Sequence, residues 1–160
     1  MEIHNTIIAR SMLAAALCVG LSSPVMAGPS INDMQTCQAL LEFLDQKLER
    51  APKSYGAEQV NTVRAGLSGY HQYIQQDIVT PGLLAFTKGD RGKAGQMQQQ
   101  VDAYKAQVVG SLKKRYPQPQ LFMDHAISVN ECAKKAVPSG AGLEALKTAL
   151  ETMVELSKQS

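Results

Sequence analysis

The chain has 160 residues, with 16 Lys and Arg against 14 Asp and Glu, a net charge of +2, three cysteines and no tryptophan. Such a balance predicts no broad electrostatic grip on nucleic acid or anionic lipid. The length suits one domain with one core.

The first ten residues, Met1 to Arg10, are polar at their ends and lead into an apolar run from Met12 to Leu21. Ten residues are half of the roughly 20 that a spanning helix needs, so the run reads as the core of a signal peptide. Pro24 breaks the helix, and Val25 with Ala27 forms a cleavage site of the A-x-A type. The expectation is a leader over residues 1–27, cut after Ala27, and export to the periplasm of a Gram-negative bacterium or beyond. Lipidation at Cys18 is not expected, because Leu17 precedes it and Ala15 stands where a lipoprotein leader carries leucine. Cys18 then leaves with the leader, and the mature chain, Gly28 to Ser160, has 133 residues and no membrane insertion.

Two cysteines remain, Cys37 and Cys132. An even count in an oxidising compartment predicts a disulfide between them. For a closed loop of about 100 residues the chain-entropy estimate of stabilisation is about 4–5 kcal/mol.

Helical periodicity accounts for five segments, and no segment alternates like a half-buried strand. The first covers about 32–50, where Met34, Cys37, Leu41, Leu44 and Leu48 draw one stripe, widened by Leu40 and Phe43. Ser30 or Asn32 can cap its start, and Pro52 closes it. The second covers about 57–78, with Val60, Val63, Leu67, Tyr70 and Ile74 on one face. Gly66 and Gly69 weaken its propensity by about 1 kcal/mol each and suit a close helix approach. Thr80, Pro81 and Gly82 are expected to stop it, since proline removes a backbone donor.

Val79 to Gly95 reads as the longest irregular stretch, an apolar patch followed by a mobile glycine-rich turn. Leu83, Leu84, Phe86, Lys88, Arg91 and Lys93 make it a candidate interaction loop. A third helix over about 94–115 shows Met97, Val101, Tyr104, Val108 and Leu112, and its closing Lys113, Lys114 and Arg115 suit the negative end of the helix dipole. A fourth over about 118–136 shows Phe122, Ala126, Val129, Ala133 and Ala136, with His125 and Cys132 on the flank. After the turn at Pro138 to Gly142, a fifth over about 143–158 shows Leu143, Leu146, Leu150 and Met153. These stripes must be buried against each other, so the fold class is all-α, an antiparallel bundle of four to five helices tied by one disulfide.

Motifs for chemistry are sparse. Glycines at 89, 92 and 95 beside Lys93 do not make a phosphate loop, because position 94 is Ala, position 87 is Thr and no strand precedes. No nucleophile elbow and no H-E-x-x-H occurs, and Asp124 and His125, as helix neighbours, point about 100° apart. No catalytic residue, metal ligand or cofactor is assigned. The one cofactor arrangement worth naming is Met34 and His71, equally far from the turn at Pro52 on adjacent helices, which could ligate a b-type haem. A covalent haem is excluded by the lack of C-x-x-C-H.

Thr36-Cys37 followed by Leu40, Leu41, Leu44 and Asp45 resembles the opening helix of the HdeA-type acid-stress chaperones. Gly69-Tyr70, Tyr116-Pro117 and Ala126 with Cys132 are similar to the periplasmic immunity proteins of secreted amidase toxins. Both resemblances imply a small disulfide-tied helical protein that binds another periplasmic protein and does not catalyse. The functional expectation is therefore a non-enzymatic interaction module of chaperone or inhibitor type, with a small-ligand or b-type haem carrier as the alternative and an unrecognised small enzyme third.

Overall fold

The computed structural model describes residues 28–159; the expected leader and Cys18 lie outside them. The described residues are helical with no strand: α1 (Ile31–Leu48), α2 (Ala57–Tyr73), a π-helical turn (Ile74–Val79), α3 (Thr80–Phe86), α4 (Arg91–Arg115), α5 (Met123–Lys135) and α6 (Gly140–Ser157). The all-α bundle expected from periodicity is what forms.

Helix α1 begins where the Ser30 side chain accepts from the Asp33 N–H, which satisfies one of the donors that a helix start leaves open. Its stripe of Met34, Cys37, Leu41, Leu44 and Leu48 is buried, as are Val63, Leu67 and Tyr70 of α2. Neighbour by neighbour, α1 packs on α2, α2 on α6, α6 on α5 and α5 back on α1, which closes a four-helix ring. Helix α4 lies outside that ring, on α1 and α3. Thr36 lies beside Tyr104, and Lys47 bonds the Tyr116 carbonyl, so α4 runs parallel to α1, an exception in an otherwise antiparallel bundle.

Cys37 and Cys132 form the expected disulfide, with alpha carbons 5.8 Å apart. It joins the first half of α1 to the end of α5, and Lys135 pairs with Asp33 one turn away at 2.9 Å.

The structure corrects the sequence reading in four places. Pro81 does not end the second helix, because it falls in the first turn of α3, where no N–H is needed. A wide turn takes up the change of register just before it, with the Thr80 N–H reaching back five residues to the Gln75 carbonyl. The expected long loop from Val79 to Gly95 is consequently mostly helix, reduced to a turn in which Lys88 and Gly89 have φ of 54° and 83°. Arg91 and Lys93 belong to the first turn of α4, capped by Asp90. The fourth segment starts at Met123 instead of 118, because residues 118–120 bend through Pro119 and the chain is extended at Phe122, with Leu121 buried just before α5. Finally, the buried face of α4 runs through Ala94, Val101, Lys105 and Val109, leaving Tyr104 exposed, since this outer helix touches the bundle on one narrow side.

The two glycines of α2 differ in role. A Cβ built at Gly66 would lie 2.5 Å from the Ala149 Cβ and 2.6 Å from the Ala145 carbonyl oxygen of α6, whereas one at Gly69 would meet nothing within 4 Å. Gly66→Ala is therefore expected to destabilise by about 1–3 kcal/mol through overpacking. Gly69→Ala should stabilise by up to about 1 kcal/mol through helix propensity. Urea unfolding of the two variants side by side measures the difference. Reducing the disulfide, or replacing both Cys37 and Cys132 by alanine, should cost about 3–5 kcal/mol in the same assay.

Candidate functional site

Two surfaces collect the residues that stand out. The first is at the end of the bundle where α1 begins and α3 ends. Leu83 is buried and Leu84 half-buried, so the apolar patch folds onto the core as its composition suggests, but Phe86 remains 74% exposed. It projects from the last turn of α3, held by the Thr87 N–H to Leu83 and Gly89 N–H to Leu84 bonds of a left-handed helix end. Beside it runs a groove of about 450 Å³ with Ile31, Met97, Val101 and Tyr104 on its walls. Lys88 and Lys93 line a second hollow on the other side of the same ring. Of the basic residues here, Lys93 pairs with its capping Asp90 at 3.3 Å. Of the expected interaction residues, Phe86, Lys88 and Lys93 share one hollow, whereas Leu84 and Arg91 line a separate one with Ala94 and Gln98.

The second surface is a cleft of about 530 Å³ between α1, α2 and α4. Its floor is Leu41 and Leu67, and its rim carries Glu42, Arg64, His71 and Lys105. Arg64 grips Asp45 with two bonds of 2.6 and 3.1 Å and reaches Glu49 at 3.2 Å. The Asp45 carboxylate beside that guanidinium holds it above its ordinary range. Lys105, with its stem buried, pairs with Asp102 at 2.9 Å. Asp102 in turn accepts from Gln98, which closes a chain of amides from Gln38 through Gln75 to α4. Burial and the Lys105 charge push the His71 imidazole below its usual value, against the pull of Glu42 and Asp102. Periodicity does not flag Glu42 or Arg64, which lie outside the apolar stripes of their helices, nor Lys105, a charged residue on the buried face of α4; only the pairing of three helices collects them.

Met34 and His71 are not brought together. Met34 is sealed in the core beside Cys37, whereas His71 follows the buried Tyr70 by one residue and is turned about 100° away, into the cleft with Leu41 and Glu42. Among the described residues no three of His, Cys, Asp or Glu converge to hold a metal ion.

His125, placed by its sequence at the flank of α5, is 2% exposed and packed edge-on against Phe43, Tyr116 and Phe122. Its Nδ1 accepts the Phe122 N–H at 3.1 Å, so it acts as a cap for α5. No family model, curated protein or solved structure matches this chain.

Burial, with the nearby Lys47 charge, lowers the His125 imidazole to about 4. The unfolded chain takes up that proton near pH 6.5, so between 6.5 and 4 the unfolded state holds more protons and stability rises with pH. Stability from this group should be complete above pH 6.5 and lost as pH falls towards 4, by roughly 3 kcal/mol at most. His71 adds a change of the same sign. Urea midpoints measured from pH 7.5 to 4 should show that slope, and His125→Gln, which keeps an acceptor for Phe122, should flatten it.

Proposed function

We propose that this chain is an exported, non-enzymatic binding module that grips another periplasmic or secreted protein through the surface around Phe86. The observation that carries the reading is Phe86 itself, a large ring 74% exposed on a helix end, next to an apolar groove on one side and a hollow lined by Lys88 and Lys93 on the other. A ring of that size left in water on an ordered element stands out, and Lys88 beside it, unpaired among the described residues, favours a partner of the opposite charge, while Lys93 is offset by Asp90. The occupant is an apolar segment flanked by carboxylates, one side chain seated in the groove walled by Ile31 and Met97. Export is supported by the disulfide and by the leader-like sequence over residues 1–27. No helix among the described residues is long and apolar enough to cross a membrane, which is compatible with it. Chaperone-type and inhibitor-type partners both fit this chemistry, in keeping with the resemblances of the sequence.

A second reading, a carrier of a small polar ligand, is favoured by the cleft at His71, whose apolar floor and charged rim have the make-up of a ligand site. The haem form of that reading loses its methionine ligand, because Met34 does not line the cleft.

A photoactivatable residue at position 97 should give one discrete crosslinked adduct in the exported compartment. Mass spectrometry of the adduct should place the contact in an apolar segment with acidic flanks. Phe86→Ser, with the crosslinker retained, should abolish the adduct, and Lys88→Glu with Lys93→Glu should weaken it tenfold or more. Neither change is expected to alter the unfolding free energy by more than about 0.5 kcal/mol, as befits exposed positions. An adduct that survives Phe86→Ser, or an equal one from a crosslinker at Arg64 on the cleft, would overturn the proposal.

A further inference from the structure

At the opposite end of the bundle, where α1 and α4 both finish, a pocket of about 270 Å³ opens between the two helices and the segment after α4. Three cations line it, Lys47, Arg50 and Lys113, and no carboxylate does. Phe43, Tyr116 and Pro117 form its apolar wall.

Lys47 is the unusual member. It is 4% exposed, its ammonium stands 5.2 Å from the Phe43 ring centre and 5.7 Å from that of Phe122, and it donates to the main-chain carbonyls of Tyr116 and Gln118. An ammonium has three donors, so one is left without a protein acceptor. Burial and the nearby Arg50 push this ammonium below the ordinary lysine range. A buried charge is costly unless it is paired, and neutral carbonyls compensate less than an anion does. The helix ends contribute about half a negative charge each, which accounts for Lys113 on the surface. It does not account for a lysine sealed among rings with two more cations and no acid beside it.

We propose that this pocket binds a dianionic oxyanion, the phosphate of a small monoester, with the ester's apolar group lying against Phe43, Tyr116 and Pro117. The oxyanion would take the third Lys47 donor and the planar fork of Arg50, which matches two oxygens at once. Lys113 supplies the further charge that favours a dianion over chloride or a simple carboxylate. The site is separate from the Phe86 surface and stands or falls independently of it.

The test uses the processed full-length protein, titrated with phenyl phosphate and with inorganic phosphate at ionic strength held constant with sodium chloride. Calorimetry should give saturable one-to-one binding, tighter for phenyl phosphate. Backbone NMR shifts should concentrate at residues 47, 50, 113 and 116. Arg50→Gln with Lys113→Gln, both exposed, should weaken binding tenfold or more and leave the midpoint of the unliganded protein in place; Lys88→Gln with Lys93→Gln should leave the affinity unchanged. Vesicles containing an anionic phospholipid are expected not to carry the protein down on sedimentation. Sedimentation that requires Arg50 and Lys113 would support the oxyanion site while assigning the phosphate to a lipid headgroup. Shifts that rise linearly and are reproduced by chloride, or binding indifferent to Arg50→Gln with Lys113→Gln, would overturn the proposal.

Discussion

Helix α1 is the constraint on which the other elements depend. It packs on α2, α4 and α5, and the Cys37–Cys132 bond fixes the far end of α5 to it covalently. Helix α3 is carried by α4, and α6 is held at one remove, by α5 on one side and by the close approach at Gly66 of α2 on the other. At the end where α1 closes, the link is polar: Lys47 holds the carbonyls of residues 116 and 118, and the Tyr55 hydroxyl accepts the Leu121 N–H at 2.9 Å. The crosslink and these bonds lie towards opposite ends of α1, so the segments that must pass over the bundle are pinned at each end.

The helices that close the ring were legible because each buries a stripe against a partner, and a stripe leaves a period in the sequence. Met34 through Leu48 and Val63 through Ile74 show it plainly. Helix α4 was legible as a helix but not in its facing, because an outer helix touches its neighbours along a strip too narrow to force the period, and Lys105 can lie on that strip with its charge paired to Asp102. Pro81 misled for a different reason. Proline excludes the middle of a helix and favours its first turn, and a sequence read alone does not say that a wide turn ending at Val79 lets a new first turn begin there.

Site residues divide in the same way. The apolar patch at Leu83, Leu84 and Phe86 with its basic neighbours was visible as composition, although its rigidity was not. Glu42, Arg64 and Lys105 were invisible, since they lie far apart in sequence, the first two outside the apolar stripes of their helices and the third a charged residue on a buried face. Lys47 was hidden more thoroughly still, as its burial comes from rings and carbonyls of residues 116–122, about 70 positions away. Buried polar groups are set by long-range partners, and local pattern carries no record of them.

The two proposed surfaces also bear a geometric relation to each other. An 18-residue α1 is about 27 Å long, with the Phe86 groove reaching Ile31 at its beginning and the oxyanion pocket reaching Lys47 at its end. Between them lie the disulfide and a row of fully buried side chains, a close-packed stretch in which a change of packing is costly. Coupling between sites needs an element with two arrangements that both ligands bias, and a close-packed rod stapled by a disulfide opposes having two. A ligand at one end would therefore act on the other only through the charge it brings, screened over about three Debye lengths at physiological salt. The bundle is in that sense a spacer that holds two independent surfaces at a fixed separation.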